Sequence, residues 1–332
     1  MDLRIAAAAA AIALAAAGPA LAQPAQLKFA SPAPPQSPVN TWGIQPWIEE
    51  VQKAADGTVE IKAFLGPTLG NFNNIYERTI SGVTDLAFGV FGPMAGQFPR
   101  TDVSSLPFEG GDCRQSSIAL WRLLDQGLIA GEYDKIKPMA LFVFPGSGVH
   151  TKKEVKAVDD LKGLKVAVFA RVGSHAADLL GATPVTMTPS DAYQSVARGL
   201  ADSIMVGWSA VVPFKYFEVV NWHLEAPLGQ APAFVFMNKE SYARLPAKAR
   251  AAIDRYGYEA FSNRMGSATD RMEKAFRGSV GKMPNHTIYS LSPAQTEIWK
   301  RRVTPIIDEW VKGTPDGAKV IAAYRAEIAK LQ

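Results

Sequence analysis

Residues 181–208, GATPVTMTPSDAYQSVARGLADSIMVGW, set two short β-prone runs around a helix-like one and close on a tryptophan. TPVTM and ADSIMV carry the branched residues that suit strands, whereas PSDAYQSVARG opens on proline and stops at glycine, as helices do. Strand, helix and strand in that order make one α/β unit. GLKVAVF upstream reads as another strand and GSHAADLLG as another helix, so the unit belongs to a series.

The same rhythm runs through the first hundred residues. Leu27 to Ala30 reads as a strand, and Trp47, Ile48, Val51, Ala54 and Ala55 recur at helical spacing before an Asp56-Gly57 stop. TVEIKAF alternates as a strand should, NIYERTISG is a short helix ending on Gly82, and TDLAFGV is a third strand. After PMALFVF the order begins again. Two similar α/β lobes are expected, without a detectable sequence repeat. FPGSGVH between the two series reads as a loop.

The last third is helical. NKESYARLPAKARAAIDRYGYEAFSNRMGSATDRMEKAF carries apolar residues at steps of three and four, and LSPAQTEIWKRRVTPIIDEW opens with Ser292 as N-cap and Pro293 at the first helical position. Trp299, Val303, Ile306 and Trp310 share one face, which assigns them to a core.

Composition bounds the class. The chain has 332 residues, 48% of them hydrophobic, enough for one large or two medium domains with proper cores. A formal charge of +4 without long Lys/Arg runs gives no nucleic-acid footprint. At the N-terminus Arg4 precedes an Ala/Ile/Leu run that ends at Gly18-Pro19, and Ala20-Leu21-Ala22 forms a signal-peptidase site. Cleavage after Ala22 and export to the periplasm are expected. The single cysteine, Cys113, cannot form an internal disulfide.

No chemistry-bearing motif stands out. His150, His175, His223 and His286 lack metal-ligand spacing, FPGSGVH is not G-x-S-x-G, and FGVFGPMAG is not G-x-G-x-x-G. No cofactor, no metal and no catalytic group is expected, and an exported two-lobed α/β chain without them reads as a binding protein that closes on a small ligand.

DDLKGLKVAV, then LGATPVTMTPSDAYQSVARGLADS, KYFEVVNWH and MNKESYARLPAKARAAI, follow one another in an order that resembles the solute-binding proteins of tripartite ATP-independent periplasmic (TRAP) transporters. LKFASPAPPQSP, GPTLGN, SGVTDLAFG and LPFEG fit the same pattern. The resemblance implies a two-lobed periplasmic binding protein fold of the α/β class, with a cleft between lobes, a hinge crossed more than once and a long helix bracing both. It places a signal peptide at 1–22. Lobe 1 is then 23–144 with part of about 232–270, and lobe 2 is 145–231 with part of about 271–332. The implied function is capture of a small organic acid for the permease subunits of a membrane transporter. A sensory subunit and a binder of a neutral molecule are the alternatives.

Departures from the family pattern single out the site. The family's usual carboxylate-binding arginine sits two residues after the lysine of GLK, where this chain has Ala167. Its D-G-x-x-N-P is replaced by Asp202-Ser203-Ile204-Met205-Val206-Gly207-Trp208, so a polar amide gives way to apolar groups such as Val206. An apolar, aromatic pocket is expected, with Arg171 as the nearest cation to take over the carboxylate. Phe169 follows the GLKVAV strand, Trp208 lies beyond ADSIMV, and Phe88 and Phe91 flank the end of TDLAF. Each is either pocket or core. Asn71 and Asn73 in LGNFNN offer hydrogen bonds across the cleft or serve the turn.

Overall fold

The computed structural model describes residues 23–94, 96–146 and 148–332; the expected signal peptide lies outside them. The chain builds two sheets. The first holds β1 (Ala25–Ser31), β2 (Val59–Leu65), β3 (Leu86–Val90), β4 (Lys137–Phe144) and β10 (Ala231–Met237) in the order β2-β1-β3-β10-β4. The second holds β5 (Gly148–Thr151), β6 (Lys165–Val168), β7 (Thr183–Thr186), β8 (Ser203–Val206), β9 (Trp222–Glu225) and β11 (Thr287–Ser290). Their order, read from one edge, is β7-β6-β8-β5-β9-β11.

The first five strands of the second order match those of the first one for one, and β11 adds an edge strand without a counterpart. β10 runs antiparallel to both its neighbours in the first sheet, and β5 does so in the second. Each of these strands is the first that the chain forms after leaving the other lobe, so each is an exchanged strand set inside an otherwise parallel sheet. Gly148 permits this for β5, since a Cβ there would lie 2.4 Å from the Leu224 carbonyl oxygen. The loop expected for FPGSGVH is therefore corrected in part: GVHT supplies an interior strand, buried throughout.

Helices cover the sheets. The one at Gln45–Ala55 buries Trp47, Ile48, Val51 and Ala55 and ends at Asp56, whose φ of 47° is the left-handed stop. Proline and glycine divide the helical third more finely than its periodicity suggests. Helices at Lys239–Ala243, Ala247–Tyr256 and Tyr258–Val280 are separated at Pro246 and Gly257, and Pro305 separates Pro293–Val303 from Pro305–Gly313. Ser292 caps the fourth of these with a full capping box. Trp299, Val303, Ile306 and Trp310 are all buried.

The 23-residue helix Tyr258–Val280, about 35 Å long at 1.5 Å per residue, braces both lobes. Its Ser262 accepts a hydrogen bond from Leu141 N–H (3.0 Å) and Thr269 donates to the Val143 carbonyl (2.9 Å), both on β4. Trp47 stacks on its Phe261 with centroids 4.7 Å apart. Toward its other end, Glu273 accepts from Ser209 N–H (2.9 Å) in the second lobe. The helix Cys113–Asp125 crosses it closely at Gly266, where a Cβ would lie 2.6 Å from the Cys113 carbonyl oxygen.

Candidate functional site

Open α/β sheets gather ligands at the carboxyl ends of their strands. The ends of β3, β4, β6 and β8 converge here on a cleft between the lobes, enclosing a cavity of about 120 Å³. Six phenylalanines line it: Phe72, Phe88, Phe91 and Phe144 from the first lobe, Phe169 and Phe214 from the second. Phe88 meets Phe72 edge-on (5.9 Å, 90°), and Phe91 stacks on Phe234 (4.4 Å, 25°), so the core fixes the rings of this wall. Phe169 and Phe214 are only half-buried.

Among the described residues five polar side chains line the cleft, and three of them, Asp102, Ser105 and Gln230, gather at one end, where the Gln230 backbone N–H donates to the Ser104 carbonyl (3.3 Å); Ser37 and Ser209 are the others. The 3-10 turn Thr101–Ser105 carries Asp102 and Ser105 three residues apart, a spacing that puts both on one side of such a turn. Ser105 is 5% exposed, yet its hydroxyl has no hydrogen-bond partner among the described residues. Gln230 donates to the Gly111 carbonyl (3.0 Å) while its own Oε1 is left unpaired. Burial pushes the Asp102 carboxyl up to about 7, Glu132 nearby adds to the rise, and Arg171 opposes it. Across from this turn packs the start of the helix Arg171–Leu179, with Ala170 and Gly173 in the lining. Its N-cap, Ala170, has no side chain to satisfy the first N–H groups.

Of the residues expected from sequence, Phe88, Phe91, Phe169 and Val206 line the cleft. Arg171 does not: it opens the helix with its side chain exposed and borders a separate cavity beside His175 and Glu309. Trp208 is 4% exposed and lies beneath the cleft, donating to Glu225 (3.1 Å) and packing on His150 and His223, each with centroids 4.9 Å away. Asn71 and Asn73 are exposed and hold their own turn, the Asn73 N–H donating to Asn71 Oδ1 (3.0 Å). The side chain this turn delivers to the cleft is Phe72, between them. Ala167 is fully buried against Val196 and Ile204.

Sequence reasoning also missed a buried chain of histidines under the cleft floor. His150 Nε2 lies 3.0 Å from the carbonyl oxygen of Val206, His150 Nδ1 lies 2.8 Å from His223 Nδ1, and His223 Nε2 lies 2.9 Å from His286 Nδ1. One tautomer pattern satisfies all three contacts: His150 is protonated at Nε2, His223 at Nδ1 and His286 at Nδ1. Burial lowers His150 to about 4. Burial and its two neighbours lower His223 to about 2, and burial also lowers His286, so all three are neutral at pH 7. Among the described residues no group of three or more His, Cys, Asp or Glu could hold a metal ion. No helix among them is long and apolar enough to cross a membrane.

The sequence profile of the bacterial extracellular solute-binding proteins, family 7, matches residues 29–313. A TRAP solute-binding protein from Rhodoferax ferrireducens, solved with copurified benzoate, superposes with a TM-score of 0.88 at 29% identity, over 92% of this chain and 98% of its own. A marine metagenome TRAP solute-binding protein specific for aromatic acid ligands, solved with 3-hydroxybenzoate, gives 0.89 at 26% identity, over 93% and 99%. The protein TsaT of Comamonas testosteroni, described as an outer membrane transporter protein, is 28% identical over 310 residues, 89% of each chain.

Proposed function

Because this chain belongs to the bacterial extracellular solute-binding proteins of family 7, the binding proteins of TRAP transporters, we propose that its own ligand is a small aromatic carboxylate, held in the cleft and passed to membrane permease subunits. The observation that carries the reading is the composition of the cleft, in which six phenylalanines from both lobes surround a space whose polar side chains gather mainly at one end. Flat apolar rings bind best between such side chains, and a single charged group is served by a single polar pole. Similar proteins solved with benzoate and 3-hydroxybenzoate support the class. Phe88, Phe91, Phe169 and Val206 contact the ring, and Arg171 acts from the rim through its charge. The segment 1–22 directs the chain to the periplasm, where the cleft loads.

Calorimetric titration of the purified protein with benzoate and with succinate tests the proposal, alongside mass spectrometry of the compound released on denaturation. Benzoate should bind far more tightly than succinate, and a monocyclic aromatic acid should be released. Tight succinate binding with none for benzoate would overturn it.

A further inference from the structure

The proposed aromatic acid brings a carboxylate into a cleft that has no arginine among the described residues lining it. A buried carboxylate without partners is very costly, so something at the polar end must receive it. Asp102 lines this end. Nothing among the described residues hydrogen-bonds its carboxyl, which is partly open to the cleft. Beside it, on the same side of the turn, is the unpaired Ser105 hydroxyl. Opposite is the start of the helix Arg171–Leu179, whose Gly173 lines the cleft and whose first three N–H groups no intrahelical carbonyl can reach, because the first such bond in this helix runs from Ser174 to Ala170. A nine-residue helix directs its positive end to that point.

We propose that Asp102 receives the ligand as a carboxylic acid, donating its O–H to the ligand carboxylate, and that Ser105 and the opening N–H groups of the Arg171–Leu179 helix complete an arginine-free anion site. The inference rests on the aromatic-acid reading and adds a proton to it. The ligand and Asp102 together hold one proton and one negative charge, since two ionised carboxylates in hydrogen-bonding contact would repel. Where Asp102 is already protonated, binding moves no proton; where it is ionised, each ligand bound takes up one proton from solution. No other proton has to move.

The surroundings of Asp102 favour the neutral acid. Burial and the neighbouring Glu132 both disfavour its anion, and Arg171, exposed on the opposite helix, only partly offsets them. Glu132 is itself engaged by the N–H groups of Arg100 (2.6 Å) and Thr101 (3.1 Å), and the Tyr133 hydroxyl by Thr101 Oγ1 (2.8 Å), so neither is free to take the role. His175 and Glu309, 3.5 Å from each other, line the separate cavity that Arg171 borders. Arg100 is paired with Asp316 (3.1 Å).

The test is calorimetry of the whole protein with benzoate between pH 6 and 9, in buffers of different ionisation enthalpy. Affinity should be flat to about pH 7 and then fall by about tenfold per pH unit, with one proton taken up per benzoate in the falling range. Asp102→Asn keeps an N–H donor and removes the titration; it should bind benzoate with little pH dependence. Benzoate affinity that is independent of pH in the parent, or an Asp102→Asn variant that keeps the parent's slope, overturns the protonated-acid site while leaving aromatic-acid binding intact. Absence of benzoate binding at every pH would instead remove the underlying functional reading. Affinity for benzylamine that rises with pH would identify Asp102 as the partner of a cation and likewise overturn the proposal.

Discussion

The carbonyl oxygen of Phe169, in the second lobe, occupies the place where a side chain on Gly92, in the first, would begin: a Cβ built on Gly92 falls 1.8 Å from it. The lobes meet here backbone to backbone, beside the cleft that both residues line. Alanine at 92 would hold them apart without disturbing either sheet. Gly92→Ala should therefore weaken benzoate binding by about tenfold or more, roughly 1.4 kcal/mol, with little change in the melting temperature of the unliganded protein. Small-angle scattering with saturating ligand should show a less compact particle than the parent.

The two faces of the cleft predict different costs for losing a ring. Phe88 is 1% exposed and packs on Phe142 and Phe72, so Phe88→Ala should cost about 3–5 kcal/mol of stability. Half-buried Phe169 is different: Phe169→Ala should cost about 2 kcal/mol of binding free energy and little stability. Paired calorimetry and denaturant unfolding would separate the two.

Trp208 belongs with Phe88 in this respect. Its ring is buried against His150 and His223, and its N–H is spent on Glu225. Trp208→Ala should lower stability by about 3–5 kcal/mol. Any loss of affinity should come from loosening of the floor, and a variant with parental stability but abolished binding would contradict this assignment.

Arg171 tests whether charge acts without contact. Its side chain is exposed and outside the cleft lining, so Arg171→Ala should change benzoate affinity by about threefold or less, roughly 0.7 kcal/mol. Added salt should abolish the difference.

Stability should respond to pH in two opposed ways. His150 and His223 have folded values far below that of a free imidazole, so the unfolded chain binds more protons, and their contribution is lost as pH falls from about 6.5 toward about 4. Glu273 is raised by burial to about 7, against hydrogen bonds from the Trp208 and Ser209 backbone, so its folded form binds the extra proton and stability is lost as pH rises from about 4.5 to about 7. Urea unfolding from pH 4 to pH 8 should show that Glu273→Gln gains on the parent as pH rises from about 4.5 to about 7, so that stability climbs more steeply with pH in the variant over the range the two effects share.

How far the sequence reveals this molecule depends on the range of the interaction concerned. The parallel strands and their helices are written in local periodicity, and the Ser292 cap and the buried Trp299 to Trp310 stripe follow from residues within a few positions of one another. The strands β5 and β10 escape such a reading because their partners lie in segments far along the chain. Four phenylalanine and valine positions at strand ends could be tied to the cleft, since strand ends are where such sheets gather ligands. The direction in which a side chain leaves the backbone could not. That is why Phe72 lines the cleft in place of Asn71 and Asn73 beside it, and why Arg171 stands outside the lining. His150, His223 and His286 are more than sixty residues apart in sequence, so nothing local signals their contact.

The exchanged strands carry a consequence for how the protein is made. β10 lies between β3 and β4, so the first sheet stays split into two pieces until residue 237 has been synthesised. β5 is synthesised early, but its neighbours β8 and β9 come more than fifty residues later. A chain that emerges from its N-terminus therefore has no lobe able to fold early, unlike a protein of two consecutive domains. Each sheet waits for a segment that the other lobe's part of the chain precedes. Translation can run well past the midpoint with nothing yet folded to obstruct a narrow passage.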